Sequence, residues 1–528
     1  MSQAVERDAA AAPLLALAQW YSPRRWLDLA PLLLTAASAT AFLIVQPGVN
    51  DLWAARARQD AHAHGVGLSY WFSWFGGGST PGSYSVLSPY LSSAVTVVGL
   101  LAISAVVIVA LSTVLLRSTP HRLAATYLVA VTTSINVWQG HVPFVLGCAF
   151  GVGALLAARH GQRALTGLLA VATLLSSPVS GAFLGLALVA ALLARPNSKH
   201  PAWLPIGLLL AGGATILVVF GSPGPEPITV GMTFGMCALL LAFLTVRPGR
   251  AVSVTVYLSI ALVVAMAFIP NGMGSNFARF VWFCLPVAVI AQAGGRRALI
   301  ATLAVVTVGI GSVGLVSDLR GASQAAAKTD YYAGLGAQLD TLPDLAQYRL
   351  EVADDGTHTA SYALLGHATL ARGFETQTDM RYNPELREGD LTAAQYRSWL
   401  DDNSVGYVAA NLNPPKPTAE TRLVLDHQPS YLQRIWSDAD WALYRVASPT
   451  PIVAAPASLV SIDQAKLIVD IPCACTVTVR TRWSSLLTAA LADDTEREYG
   501  DDASVAADRD GWTLLTTTEP GRYVLEGR

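Results

Sequence analysis

Apolar segments recur through the first 316 residues of this 528-residue chain, and they restrict what it can fold into more than any other feature. They fall at about 27–45, 91–116, 123–138, 143–158, 163–176, 181–194, 203–220, 230–246, 251–269, 276–293 and 298–316. A helix crossing a bilayer needs roughly 20 such residues, so several of the segments are short. Short segments suit helices packed inside protein rather than facing lipid. Basic clusters punctuate the series: Arg24/Arg25, Arg117/Arg122, Arg159/Arg163, Arg195/Lys199, Arg247/Arg250 and Arg296/Arg297. Lys and Arg concentrate on the cytoplasmic side of a membrane protein. Two clusters on one side need an even number of crossings between them, and NVWQGHVP, SSPVSG, SPGPEP and PNGMGSN supply the outer breaks. The pattern predicts about 11 spans, a multi-pass plasma-membrane location, a cytoplasmic N-terminal segment over 1–26, and residues 317–528 outside the cytoplasm. The first apolar run is long, and a polar stretch holding Glu6 and Asp8 precedes it, so it reads as a retained anchor rather than a cleaved signal.

Charge divides the chain at the same place. Residues 1–316 carry 16 Lys+Arg against 6 Asp+Glu, while 317–528 carry 18 against 30. The acidic half argues against nucleic-acid binding, which needs a basic face. Its strand and helix patterns predict a small α/β unit over 317–447, from YRLEVA, LTAAQYRSWLDDN, VGYVAA and WALYRVA. A linker, SPTPIVAAPA, follows. A β-sandwich-like unit is expected over 458–528, where LVSIDQAKLIVDI, TVTVRTRW, WTLLTTTE and RYVLEG alternate at period two. Cys473 and Cys475 fall in an expected strand and read as unpaired thiols, because a C-x-C disulfide there is strained.

Polar residues of the apolar half gather at the outer ends. Asp51 lies just past the first span, in the long outer loop 46–90, with a short helix expected at Asp51–His64. A carboxylate at a membrane surface is expensive to desolvate and marks a functional site by default; here it is the candidate catalytic base. The competing view is a solvated acid paired with Arg56 or Arg58. Arg279, one turn into the tenth span, can grip a phosphate bidentately or snorkel to headgroups. Asn276, His62, His64 and His141 are further substrate-binding candidates. His62 and His64 could join Asp60 or Asp51 on a metal, but their i, i+2 spacing puts them on different helix faces, so neither a metal nor another cofactor is assigned. Glu226, between prolines, reads as a solvated turn acid. Trp71, Phe72, Trp74 and Phe75 suit the headgroup zone, and Gly76–Gly78 allow a sharp turn. No P-loop, G-x-S-x-G or H-E-x-x-H occurs, and no cytoplasmic D-x-D.

An acid right after span one, a long first loop with a helix, many short spans and an outer domain together resemble the C-type (GT-C) integral-membrane glycosyltransferases. HAHGVGLSYWFSWFGGGSTPGSYSVLSPY, GHVPFVLG, SSPVSG and GSNFARFVWFCLPV, with ARGFETQTD and LTAAQYRSWLDDNSVGYV downstream, are similar to a group of actinobacterial membrane proteins of that architecture. The resemblance implies a polyprenyl-phosphate-linked sugar donor at the outer leaflet, a cell-envelope glycan or glycolipid acceptor, Asp51 as base and Arg279 as phosphate clamp. The family pattern has two adjacent acids in the first loop, whereas here Asn50 precedes Asp51. Two other classes stay open. A transporter or lipid flippase prefers inverted repeats and a midplane charge, neither of which is visible. A non-catalytic envelope-assembly protein fits the lone acid.

Overall fold

A computed structural model describes residues 23–194, 202–387, 389–492 and 502–528. The expected cytoplasmic segment up to residue 22 and the Arg195/Lys199 cluster lie outside the described residues. A helix occupies each apolar segment: α1 (Pro23–Val45), then, after the loop helix α2 (Asn50–Ala63), α3 (Val97–Leu116), α4 (Arg122–Trp138), α5 (Val142–Arg159), α6 (Arg163–Ser176), α7 (Pro178–Ala194), α8 (Trp203–Phe220), α9 (Val230–Leu244), α10 (Arg250–Phe268), α11 (Gly274–Ala291) and α12 (Arg297–Ala322). Seven of them, α1, α3, α5, α8, α10, α11 and α12, are long and apolar enough to cross a membrane by themselves. Half or more of α3, α5 and α11 is buried, against about a fifth of α1, α8 and α12. The first three form the middle of the bundle and the others its rim, where exposed Leu, Ile, Val and Phe face outward.

Helix α11 is not regular. Its α-turn at Phe277–Arg279 widens to a π-helix over Phe280–Cys284 before Leu285–Ala291 resumes. Pro286 has no N–H for the usual i→i−4 bond, and the wider turn lets the helix pass it. Such bulges gather at functional sites, and this one follows Arg279 directly.

The region after α12 is built from β-sheets. β1 (Arg349–Val352), β2 (Val405–Asn411), β3 (Leu432–Ser437) and β4 (Trp441–Val446) form one sheet in the order β1-β2-β4-β3. β1 and β2 are parallel, so the chain must cross over between them, and helix α13 (Ala393–Asp402) lies on that crossover. A capping box between Thr392 and Gln395 starts α13. The remaining strands, β5 (Ser458–Ile462), β6 (Lys466–Ile471), β7 (Thr476–Arg482), β8 (Leu487–Leu491), β9 (Ala503–Ala507), β10 (Trp512–Thr517) and β11 (Gly521–Gly527), make two sheets, β7-β10-β9 and β5-β6-β11-β8. Their alternating inward residues share one core, including Leu467, Val469, Val479, Leu515 and Leu525. Cys473 and Cys475 are bonded to each other, which corrects the expectation of free thiols. They lie in the turn between β6 and β7 rather than within a strand, so strand geometry does not hold them apart.

The aromatic run of the first loop is also corrected. Trp71, Phe72, Trp74 and Phe75 are buried in protein, not set at a membrane surface. Tyr70 and Phe72 enter the core of the two-sheet unit, while Trp71, Trp74 and Phe75 enter the α/β core beside Leu335, Leu350, Tyr407 and Trp441. Hydrogen bonds hold the run in place: Trp71 Nε1 donates to Gln464 Oε1 (3.2 Å), Phe72 N to Gln464 O (3.1 Å) and Trp74 Nε1 to Ser361 O (3.3 Å). Gly76 and Gly77 take left-handed φ of 58° and 88°, and a Cβ on Gly77 would lie 2.1 Å from the Tyr70 hydroxyl oxygen. Only glycine closes this turn. Aromatic character alone does not distinguish a lipid interface from a protein core, which is why the sequence pointed the wrong way.

Candidate functional site

The site is assembled around the N-terminus of α2. Asp51 lies in the first turn of that helix, where a carboxylate is favoured by the exposed N–H groups and the helix dipole. Arg279 Nη2 donates to Asp51 Oδ2 at 3.2 Å, across 228 positions of sequence. His141 Nε2 stands 3.4 Å from the same oxygen. Gly140 makes this approach possible: its φ is 77°, and a Cβ there would lie 2.8 Å from Leu52 N. The turn between α4 and α5 can therefore rest directly on the start of α2.

Burial raises the Asp51 carboxyl above its ordinary value, with Arg279, Arg58 and His358 pulling it back. His141 is held well below the usual imidazole range by burial and then by Arg279. A quarter of the Asp51 side chain (26%) stays accessible, so the carboxylate is desolvated without being sealed. Arg279 stacks near the Phe144 ring, 5.7 Å from its centroid. Its N–H groups other than the one on Asp51 have no protein partner among the described residues. Asn276 lies one turn earlier, at i−3 from Arg279, and its side chain likewise has no partner among the described residues. A carboxylate and a cation with free donors thus meet, with an amide one turn of chain before the cation.

His62 and His64 do not join them. They lie eleven and thirteen positions beyond Asp51, roughly 16–20 Å along the axis at about 1.5 Å per residue. His62 packs edge-on against Tyr90, and His64 bonds back to the Asp60 carbonyl at 2.9 Å. Among the described residues no group of three His, Cys, Asp or Glu comes together as a metal site. Glu226 is not a solvated turn acid. Ser275 Oγ donates to its carboxylate and its N–H donates to Asn271 O, so it ties the α8–α9 and α10–α11 connections together, and burial raises its carboxyl. Asp51 does not pair with Arg56 or Arg58: Arg56 bonds Gln46, and buried Arg58 reaches Glu375.

Glu375 is a neighbour of the site that sequence reasoning missed, and Arg58, named there only as a possible partner of Asp51, pairs with it instead. Arg58 lies two turns after Asp51 on α2, lies over the Tyr84 ring at 3.9 Å, and bonds Glu375 Oε2 at 3.4 Å; Ser79 Oγ donates to the same oxygen at 2.8 Å. The i, i+7 spacing from Asp51 was the available signal. Asn50 has a role that a second acid could not fill: its amide nitrogen donates to Gly356 O (3.5 Å), in the loop that carries His358.

Two cavities flank this cluster. An apolar one of about 340 Å³ runs inside the helix bundle from Asn136, Phe144 and Phe280 to Leu155, Leu116 and Gln292. A small polar one of about 60 Å³ lies in the region after α12, lined by Asp354, His358, Arg372, Glu375, Asp379 and Arg387. Behind the polar one, Arg372 bridges Glu351 Oε1 (Nε, 2.8 Å) and Glu420 Oε2 (Nη2, 2.6 Å), and the Tyr396 hydroxyl donates to Glu420 Oε1 at 2.9 Å. Burial lifts Glu351 well above the ordinary carboxyl range, and Glu420 adds to the shift while Arg372 opposes it.

No family model matches this chain, and no curated protein sequence matches it. What the site can do therefore rests on its own chemistry.

Proposed function

We propose that the chain is a GT-C-like membrane glycosyltransferase, moving a sugar from a polyprenyl-phosphate-linked donor to a cell-envelope glycan or glycolipid at the outer leaflet. Its eleven helices all cross the bilayer, with the N-terminus in the cytoplasm and residues 317–528 outside. The observation that carries the reading is the contact between Asp51 and Arg279, two residues that nothing local brings together. In this scheme Asp51 takes the proton of the acceptor hydroxyl as the hydroxyl attacks the anomeric carbon. Arg279 receives the leaving phosphate through its free N–H groups and offsets the charge developing there. Asn276 orients the donor, with inversion at the anomeric carbon. The apolar cavity beneath Phe144 and Phe280 suits the hydrocarbon part of such a donor, which supports a lipid-linked substrate over a soluble nucleotide sugar.

The test is sugar transfer from radiolabelled polyprenyl-phosphate sugars by membranes containing wild type, Asp51→Asn or Arg279→Gln. Loss in both variants is expected, and undiminished transfer by Asp51→Asn would sink the base assignment. For sidedness, a Ser484→Cys variant should react with an impermeant maleimide from outside intact cells; labelling only after lysis overturns the topology. A second reading, a non-catalytic assembly protein, is favoured by one fact. Arg279 and Asp51 neutralise each other, as a purely structural ion pair would.

A further inference from the structure

The hydrogen bonds around His141 fix where its protons are. Asn136 Nδ2 donates to Thr132 O at 2.8 Å, so the amide oxygen of Asn136 is the atom that faces His141. That oxygen lies 2.8 Å from His141 Nδ1, which therefore carries a proton and donates it. In a neutral imidazole the other nitrogen, Nε2, is then bare. Nε2 is also the atom 3.4 Å from Asp51 Oδ2. A bare nitrogen and a carboxylate oxygen repel at that distance in a partly desolvated site. A single proton between them turns the contact into a charge-assisted hydrogen bond. The geometry is thus arranged for the state that follows proton abstraction.

We infer that Asn136, His141 and Asp51 form a proton relay, in which His141 Nε2 is the second seat of a proton accepted by Asp51. The inference rests on the transfer reading for the origin of that proton. The acceptor O–H bond breaks as its oxygen bonds the anomeric carbon. The bond from that carbon to the phosphate oxygen breaks, and its electron pair leaves with the phosphate. The proton goes to the Asp51 carboxylate and is shared with Nε2. His141 acts through Asp51 and is a positioning residue. Asn136 and Gly140 set its tautomer and its place.

The charges facing His141 give the relay a condition. Asp51 favours an imidazolium there, and Arg279, on α11, opposes it. Further off, Arg58 and His358 act on Asp51, while Glu226 and Asp318 share the field of Arg279. Burial is the larger opposition and Arg279 the second; an anion on the free N–H groups of Arg279 offsets the second. His141 then accepts the proton more readily with phosphate present, so abstraction and leaving-group departure are linked.

The test uses full-length protein in lipid bilayers, labelled with [15N]histidine and read by solid-state NMR, with a His141→Gln difference spectrum for assignment. We expect His141 at neutral pH to carry its proton on Nδ1 with Nε2 bare. Saturating dodecyl phosphate should raise the ring's protonation midpoint by about one pH unit or more, the size of shift expected when a neighbouring charge is offset. Arg279→Gln should abolish that response. Asn136→Leu, checked for an unchanged melting temperature, should lose the tautomer preference. A proton on Nε2 in wild type, or a midpoint unmoved by saturating dodecyl phosphate, overturns the relay. Failure of sugar transfer with these ring signals intact would count against the transfer reading alone.

Discussion

Two clusters of opposite charges lie on either side of the boundary between the helices and the sheets, and they are built differently. Around Arg372, the side chains of Glu351 and Glu420 are 1% exposed and an aromatic face, Trp399, covers the guanidinium. Around Asp51, the carboxylate and Arg279 each keep about a quarter of their side chain accessible, and the cation leaves donors unused. A closed, densely bonded network fixes one packing arrangement, and removing a member leaves a buried charge without its partner. An open, under-bonded one is available to something else. The same residue types thus form a sealed network in one place and an accessible one in the other, with access to solvent as the difference.

Substitutions can break that contrast or sharpen it. The largest effect is expected from Asp51→Asn: transfer falls by about 10²–10⁴-fold, the usual contribution of a positioned base, while the melting temperature barely moves. Arg372→Met should do the reverse. It strands Glu351 and Glu420 against each other and destabilises the fold by about 3–5 kcal/mol, seen in denaturation of the full chain. Trp74→Ala should cost about as much, because it empties a buried aromatic site packed against Gly373.

A smaller effect depends on pH. Glu351 keeps its proton in the folded protein where the unfolded chain has already released it. The folded state then binds more protons, so stability declines as pH rises above the ordinary carboxyl range. Glu351→Gln should flatten that decline in melting curves taken across pH; an unchanged slope would show that another group is responsible. The smallest change is expected from Asn50→Asp, which places two acids side by side. It should move the pH–rate midpoint for transfer upward by about one unit through like-charge repulsion, and loosen the contact with Gly356.

Much of the helical half was legible because its signal is local. Each apolar run became a helix, NVWQGHVP became the break that carries His141, and PNGMGSN the one that precedes Arg279. Asp51 and Arg279 stood out singly, since a charge among apolar residues is conspicuous. Their contact was not legible, because no spacing rule spans 228 positions. Glu375 was missed for the opposite reason: acids are ordinary in residues 317–528, so nothing marked it as one of those that turn inward. β3, β8 and β9 were missed too: β3 mixes polar and apolar residues without clean alternation, and β8 and β9 are short and rich in alanine, a poor strand former. Asn50 looked like an absence, a missing acid, until its donor found a carbonyl.

The aromatic run 70–75 also has a consequence for how the protein is made. These side chains leave the ribosome early, while the cores that receive them, around Tyr407, Trp441 and Leu515, are encoded more than 300 residues later. Before the strands are made, these side chains have only α2 and its flanks to pack against, so a chain truncated ahead of β1 would leave Trp71 and Trp74 largely uncovered. Burial of the first loop therefore waits on strands encoded far downstream, and loop and sheets fold as one unit.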